Sequence, residues 1–118
     1  MKISKFEDIL SWQKSRTLTL LIYKLFENHN DFGFKNQIER ASVSIMNNIA
    51  EGFERQSNKK FRQFLYIAKG SCAEVRSMLY IASDLEKINN KDFNKAYFLS
   101  IEISKLLSGF IKTKNKIF

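Results

Sequence analysis

Residues 61–82, FRQFLYIAKGSCAEVRSMLYIA, put Phe61, Leu65, Ala68, Cys72, Val75, Leu79 and Ala82 at alternating intervals of four and three. That repeat is one heptad seam of an α-helix, because side chains three and four apart rise on the same face. A second row runs beside it: Phe64, Ile67, Ser71, Met78, Ile81, Leu85 and Ile88, interrupted by Glu74. The combined face is wider than a two-stranded coiled coil needs and points to a helix inside a bundle.

The rest of the chain agrees. It has no Pro and only four Gly in 118 residues, so the usual helix breakers are nearly absent. Ser4 and Glu7 have capping-box spacing and predict a first helix from about Lys5 to Glu27. NHNDFG, residues 28–33, collects turn formers, and a second helix is expected from Phe34 to Ala50 or Glu51, with Gly52 in the left-handed position that ends helices. Ser57 or Asn58 caps a third helix reaching Ile88, and Asn89 or Asn90 caps a fourth from Lys91 to Lys112. Short connections make successive helices antiparallel, which gives an all-α, up-and-down four-helix bundle in a single domain spanning residues 1–118.

Two helices carry more apolar surface than one bundle face uses. The fourth has a stripe of Ala96, Leu99, Ile103, Leu106 and Phe110, with Tyr97, Phe98 and Ile101 pointing elsewhere. The first has Ile9, Trp12, Leu20 and Tyr23 on one side and Leu18, Leu21, Ile22 and Leu25 on another. Two apolar faces per helix predict self-association, since monomers rarely expose large apolar patches.

Little in the chain suits catalysis. His29 sits in the turn-rich connection with no Ser or Cys near it in sequence, so it reads as a solvated loop imidazole. Cys72 lies in the heptad seam and reads as a small core side chain; one Cys and one His cannot furnish a zinc site. Neither a phosphate-binding Gly-rich loop nor an acidic two-metal set is present, so no catalytic residue, metal or cofactor is expected. The N-terminus lacks a signal-peptide core and no apolar run approaches the roughly 18 residues of a membrane span, which makes a cytoplasmic protein without membrane contact the expectation.

Charge is the strongest functional signal. Twenty Lys and Arg against twelve Asp and Glu give +8, which favours polyanionic partners. Arg55, Lys59, Arg62, Tyr66, Lys69, Ala73 and Arg76 again alternate four and three, making a row about 30 Å long that is rich in cations, with Tyr66 available to stack on a base. Lys105, Lys112, Lys114 and Lys116 add positive charge with no acid after Glu102. The second helix differs: Gln37, Arg40, Ser44, Asn47 and Glu51 form a polar row, with Asn48 beside it, between the core face of Ile38, Ala41, Ile45 and Ile49 and a further patch of Val43, Met46 and Ala50. Complementary donors and acceptors there predict a structural network, within the protomer or across a subunit contact.

The stretches FEDILSWQKS (6–15), QIERASVSIMNNIAEGFERQS (37–57) and KKFRQFLYIAKGSCAEV (59–75) resemble the four-helix-bundle family encoded by intervening sequences of bacterial 23S rRNA genes. Trp12 and Gln13 match its first-helix motif. Ser44, Ile45, Asn48, Ile49, Ala50, Glu51 and Gly52, with Gln37, match the second, and Phe64, Leu65, Ala68, Gly70, Ser71 and Glu74 the third. Met46 stands where a Pro is frequent, Lys60 where an acid is frequent, and Cys72 where a larger apolar residue is usual. The resemblance covers roughly residues 6–88 and extends to the accessory variability determinant of diversity-generating retroelements. It implies a homopentameric barrel of bundles, nucleic-acid binding in the retroelement branch, a reverse transcriptase as a candidate partner, and no enzymatic activity.

The expectation is therefore a non-enzymatic, homo-oligomeric accessory protein that binds RNA or DNA by its phosphate backbone through Arg55, Lys59, Arg62, Tyr66, Lys69 and Arg76. The alternative is a homo-oligomeric protein-interaction scaffold that binds no nucleic acid.

Overall fold

The computed structural model describes residues 3–113 together with 117 and 118. A single 3-10 turn, Phe6–Asp8, leads into four helices: α1 (Leu10–Leu25), α2 (Phe32–Glu54), α3 (Asn58–Asp84) and α4 (Asn90–Lys112). Each helix packs on its chain neighbours and α4 closes back on α1, forming an up-and-down bundle of 45 × 21 × 19 Å.

Local chemistry sets three of the helix starts. Asp31 accepts the backbone N–H of Phe34 at 3.1 Å, Ser57 that of Lys60 at 3.3 Å, and Asn89 that of Asp92 at 2.7 Å. Each satisfies a donor that the first helical turn leaves free. The Ser4–Glu7 capping box does not form: Lys5 stands at the cap of the 3-10 turn without a side-chain hydrogen bond, and α1 begins later, at Leu10.

All seven residues of the α3 seam are buried, as are Ile38, Ala41, Ile45 and Ile49 of α2. The second α3 row behaves differently. Met78 is buried, but Ile67, Ile81 and Leu85 are 53%, 49% and 62% exposed, so that face is not consumed within the bundle. α3 also stops at Asp84, short of Ile88, where Glu86 turns left-handed at φ 58°.

In α1 the core face is Leu18 and Ile22 with Ser11, Ser15 and Thr19, while Leu20 is 64% exposed and Tyr23 also faces outward. Two of these hydroxyls are satisfied in place, Ser15 donating to the Ser11 carbonyl at 2.6 Å and Thr19 to those of Ser15 (2.9 Å) and Ser42 (3.1 Å), whereas Ser11 Oγ is buried with no hydrogen-bond partner among the described residues. In α4, Ala96, Ser100, Ile103 and Leu107 are buried, and the expected Leu99, Leu106 and Phe110 are only half-buried.

Gly52 corrects the sequence reading most sharply. It lies inside α2, buried, and has no left-handed φ; Gln56, at φ 55°, makes the turn instead. A Cβ on Gly52 would lie 2.4 Å from Phe64 Cβ, so glycine is needed here for the close approach of α2 to α3.

Candidate nucleic-acid interface

The side of α3 turned away from α2 follows directly from the 100° step of the helix. Core residues occupy one arc, and the α2-facing arc carries Phe64, Ser71 and Glu74. The remaining flank presents Lys59, Arg62, Tyr66, Lys69, Ala73 and Arg76. Tyr80, one turn beyond Arg76, packs edge-on against Phe93 and Tyr97 at 5.3 and 5.7 Å, which fixes this flank beside the α3–α4 seam.

Lys59, Arg62 and Tyr66 are exposed, Tyr66 by 58%, and Lys69 is half-buried along its stem. The row from Lys59 to Arg76 is about 25 Å long at 1.5 Å per residue. Two ion pairs form among the described residues, Lys14 with Glu102 at 3.0 Å and Lys35 with Glu39 at 3.3 Å; neither uses a cation of this row.

Two members of the predicted row stand differently from the rest. Arg55 is not on α3: it is the C-cap of α2, its guanidinium 5.0 Å over the Phe64 ring, and the turn at Gln56 breaks the helical phase between it and Lys59. Arg76 is half-buried, with Nη1 3.7 Å from Cys72 Sγ. Cys72 donates its S–H to the Ser100 carbonyl at 3.1 Å. Burial pushes the Cys72 thiol up to about 11, against the opposing pull of the Arg76 charge.

α4 adds cations that α3 alone does not show. Phe61 packs on Phe110 at 5.7 Å and Cys72 reaches Ser100, so the antiparallel register sets Lys112 level with the start of the row and Lys105 level with its middle. Both line a shallow depression of about 470 Å³ with Ile101, Ser104, Ser108 and Gly109. Lys114 and Lys116 lie outside the described residues.

An aromatic cluster closes the far end of the row; the sequence names its members Tyr97 and Phe98 only as a second apolar face of the fourth helix. Phe93 and Tyr97 stack at 5.4 Å, Tyr80 meets both edge-on, and Phe98 meets Tyr97 edge-on at 5.4 Å. Tyr80 is 50% and Phe98 64% exposed. The Tyr80 phenol is raised above its ordinary range, first by its hydrogen bond with Tyr97 and then by desolvation, with Arg76 opposing. The available signal was that Tyr80 continues the spacing of Ala73 and Arg76.

The polar set of α2 divides in two. Gln37 donates to Glu74 at 3.3 Å, the Ser44 and Ser71 hydroxyls meet at 2.9 Å, and Asn48 donates to the Ser44 carbonyl and hydroxyl at 2.8 and 3.0 Å. The Gln37–Glu74 and Ser44–Ser71 contacts tie α2 to α3 within the protomer, and Asn48 holds Ser44 from within α2. Arg40, Asn47 and Glu51 border an open groove of about 350 Å³ with Tyr23 and Val43, and Ser44 and Asn48 reach its lining as well. His29 is half-buried rather than solvated, packed on Phe26 and Phe34 at 5.6 and 5.5 Å. Among the described residues no group of three or more His, Cys, Asp or Glu is placed to hold a metal, and no helix is long and apolar enough to cross a membrane.

The family model of the 23S rRNA-intervening sequence protein matches residues 7–109. No curated protein matches the chain. A crystal structure from Bacteroides thetaiotaomicron VPI-5482, of a protein with unknown function from the S23 ribosomal protein family, superposes with a TM-score of 0.82. It is 30% identical, and the match covers 88% of this chain and 100% of that one.

Proposed function

Because the chain belongs to the 23S rRNA-intervening sequence protein family, we propose that it is a non-enzymatic, oligomeric accessory protein that binds nucleic acid along the α3–α4 flank. The observation that carries this reading is the run of Lys59, Arg62 and Lys69 with Lys105 and Lys112 beside it, outside both ion pairs of the described residues. Cations so arranged bind a polyanion by displacing its condensed counterions, a sequence-independent attraction that weakens steeply with salt. Contacts of this kind position a strand and do not read bases.

The assembly we propose is a homopentamer. Exposed Leu20, Phe32, Ile81 and Leu85 support self-association, since each is about half or more accessible in the isolated protomer. Five copies carry a formal charge of 5 × 8, or +40, which multiplies the attraction. Light scattering reads the subunit number.

The test of binding is filter retention of structured RNA and duplex DNA across a salt series. Retention at low salt that falls with a steep log–log slope, and that weakens on charge reversal of Lys59, Arg62 and Lys69, is the expected result. Absence of retention at low salt, or retention indifferent to those reversals, overturns the proposal and leaves the protein-interaction scaffold in its place.

A further inference from the structure

Resting on the nucleic-acid reading above, we propose that the ligand is a single strand with unpaired bases, held by the basic row and stacked on the Tyr80–Phe98 aromatic cluster at its end. A duplex hides its base faces and offers phosphates and groove edges, neither of which needs a stacking ring. The exposed aromatic faces here have no such use. Tyr66 stands between Arg62 and Lys69 at 58% exposure, and Tyr80 and Phe98 are 50% and 64% exposed although each is braced edge-on by Tyr97. Braced, half-open rings are suited to stacking on bases, because they present area without first having to be ordered.

The spacing fits one strand. Tyr66 and Tyr80 are four helical turns apart, about 21 Å, which a stacked strand covers in about six nucleotides at 3.4 Å per phosphate. Lys69 and Arg76 lie within this interval and Lys59 and Arg62 precede it, whereas Asp84, one turn past Tyr80, ends the favourable track. Charge complementarity and stacking area thus coincide on one flank and stop together. That coincidence favours a nucleic-acid strand over a second copy of this equally basic chain as the occupant.

Fluorescence anisotropy of the full chain with labelled 12-nucleotide oligo-dT and oligo-U, and with a 12-base-pair duplex, tests this at matched salt. Single strands are expected to bind more tightly than the duplex. Phe98→Ala and Tyr80→Ala are each expected to weaken single-strand binding about 10-fold without changing the salt slope or duplex binding, and Phe98→Trp to retain it. Phe98→Ala keeps the test decisive if Tyr80→Ala compromises folding, since Phe98 is the more exposed ring.

Lys69→Glu is expected to weaken both ligand types and lower the slope. Equal binding of both forms with no effect of the aromatic variants overturns the single-strand inference while leaving the basic-surface reading standing. So does a Phe98→Ala protein whose sedimentation changes while its binding does not, which assigns the patch to a second copy. Absence of binding to every probe at low salt overturns the underlying function instead.

Discussion

Gly52→Ala tests the α2–α3 packing because two effects of opposite sign meet there. In an exposed helix interior the exchange stabilises by about 1 kcal/mol, since Ala loses less backbone entropy on folding. Here the new Cβ would sit 2.4 Å from Phe64 Cβ, 3.1 Å from Phe64 Cγ and 3.2 Å from Phe61 Cδ1. Carbon atoms pack at roughly 3.5–4.0 Å, so the helices must part by about 1 Å or more. Neither Cβ can rotate away, because both are fixed to helical backbone. Parting also loosens the Ser44–Ser71 hydroxyl contact two turns along, now 2.9 Å.

Overpacking costs about 1–3 kcal/mol; with both Cβ atoms fixed to helical backbone the upper part of that range, about 2–3 kcal/mol, applies, and after the propensity gain a net loss of about 1–2 kcal/mol remains. At about 4 °C per kcal/mol for a chain of this size, the Tm should fall by roughly 4–8 °C. Thermal melting followed by circular dichroism measures the Tm, and urea unfolding the free-energy loss, both at one fixed protein concentration. Adding Phe64→Ala should not rescue the variant, because alanine keeps the offending Cβ. A Gly52→Ala protein as stable as the parent would refute the close-approach explanation.

Gly70→Ala is the converse: nothing lies within 4 Å of the added Cβ, so thermal melting should show a stabilisation of about 0.5–1 kcal/mol. Asn58→Ala should cost about 1–2 kcal/mol in urea, because Asn58 accepts from the Ile117 and Phe118 N–H groups at 2.8 and 3.2 Å and donates to the Phe118 carbonyl at 3.1 Å. Cys72 predicts a pH effect. Its thiol titrates near 11 when folded against 9.0 ordinarily, so the unfolded chain releases the proton first. This contribution is complete below pH 9 and is lost as pH rises toward 11, by about 2 kcal/mol. Urea midpoints of the parent should fall over that window more than those of Cys72→Ala.

The pattern of the sequence carried the architecture wherever one helix's own period decided burial. The α3 seam, the core face of α2, and the caps at Ser57 and Asn89 are of this kind. It misled where a neighbour decided. Gly52 near a helix end reads as a terminator, because the Phe64 Cβ that demands it is twelve residues away and on another helix. Ser15 and Thr19 are polar by type, and only the structure shows their hydroxyls buried and bonded to carbonyls of α1 and α2. The basic row was legible from Lys59 onward, but its extension through Arg55 ignored the turn at Gln56. Lys105 and Lys112 had been noted for charge, whereas their place beside the row, like that of the Phe93–Tyr97 pair, depends on the α3–α4 register.

That register also separates binding from stability. α3 is tied to α2 through Gly52, Ser71 and Glu74 on one flank and to α4 through Cys72 and Tyr80 on the other, which leaves Lys59 and Arg62 exposed outside both sets of contacts. Substitutions at exposed Lys59 and Arg62 should therefore leave stability within about 0.5 kcal/mol while reducing nucleic-acid affinity. Arg76 does not share this independence. Its guanidinium lies against the buried Cys72 thiol and draws that group's pKa down. Arg76→Ala should weaken binding and also raise the Cys72 pKa further, so that the alkaline loss of stability still begins near pH 9 but runs to higher pH and becomes larger. An Arg76→Ala protein with an unchanged alkaline unfolding profile would show that the guanidinium does not act on the thiol, and that Arg76 belongs wholly to the solvent face.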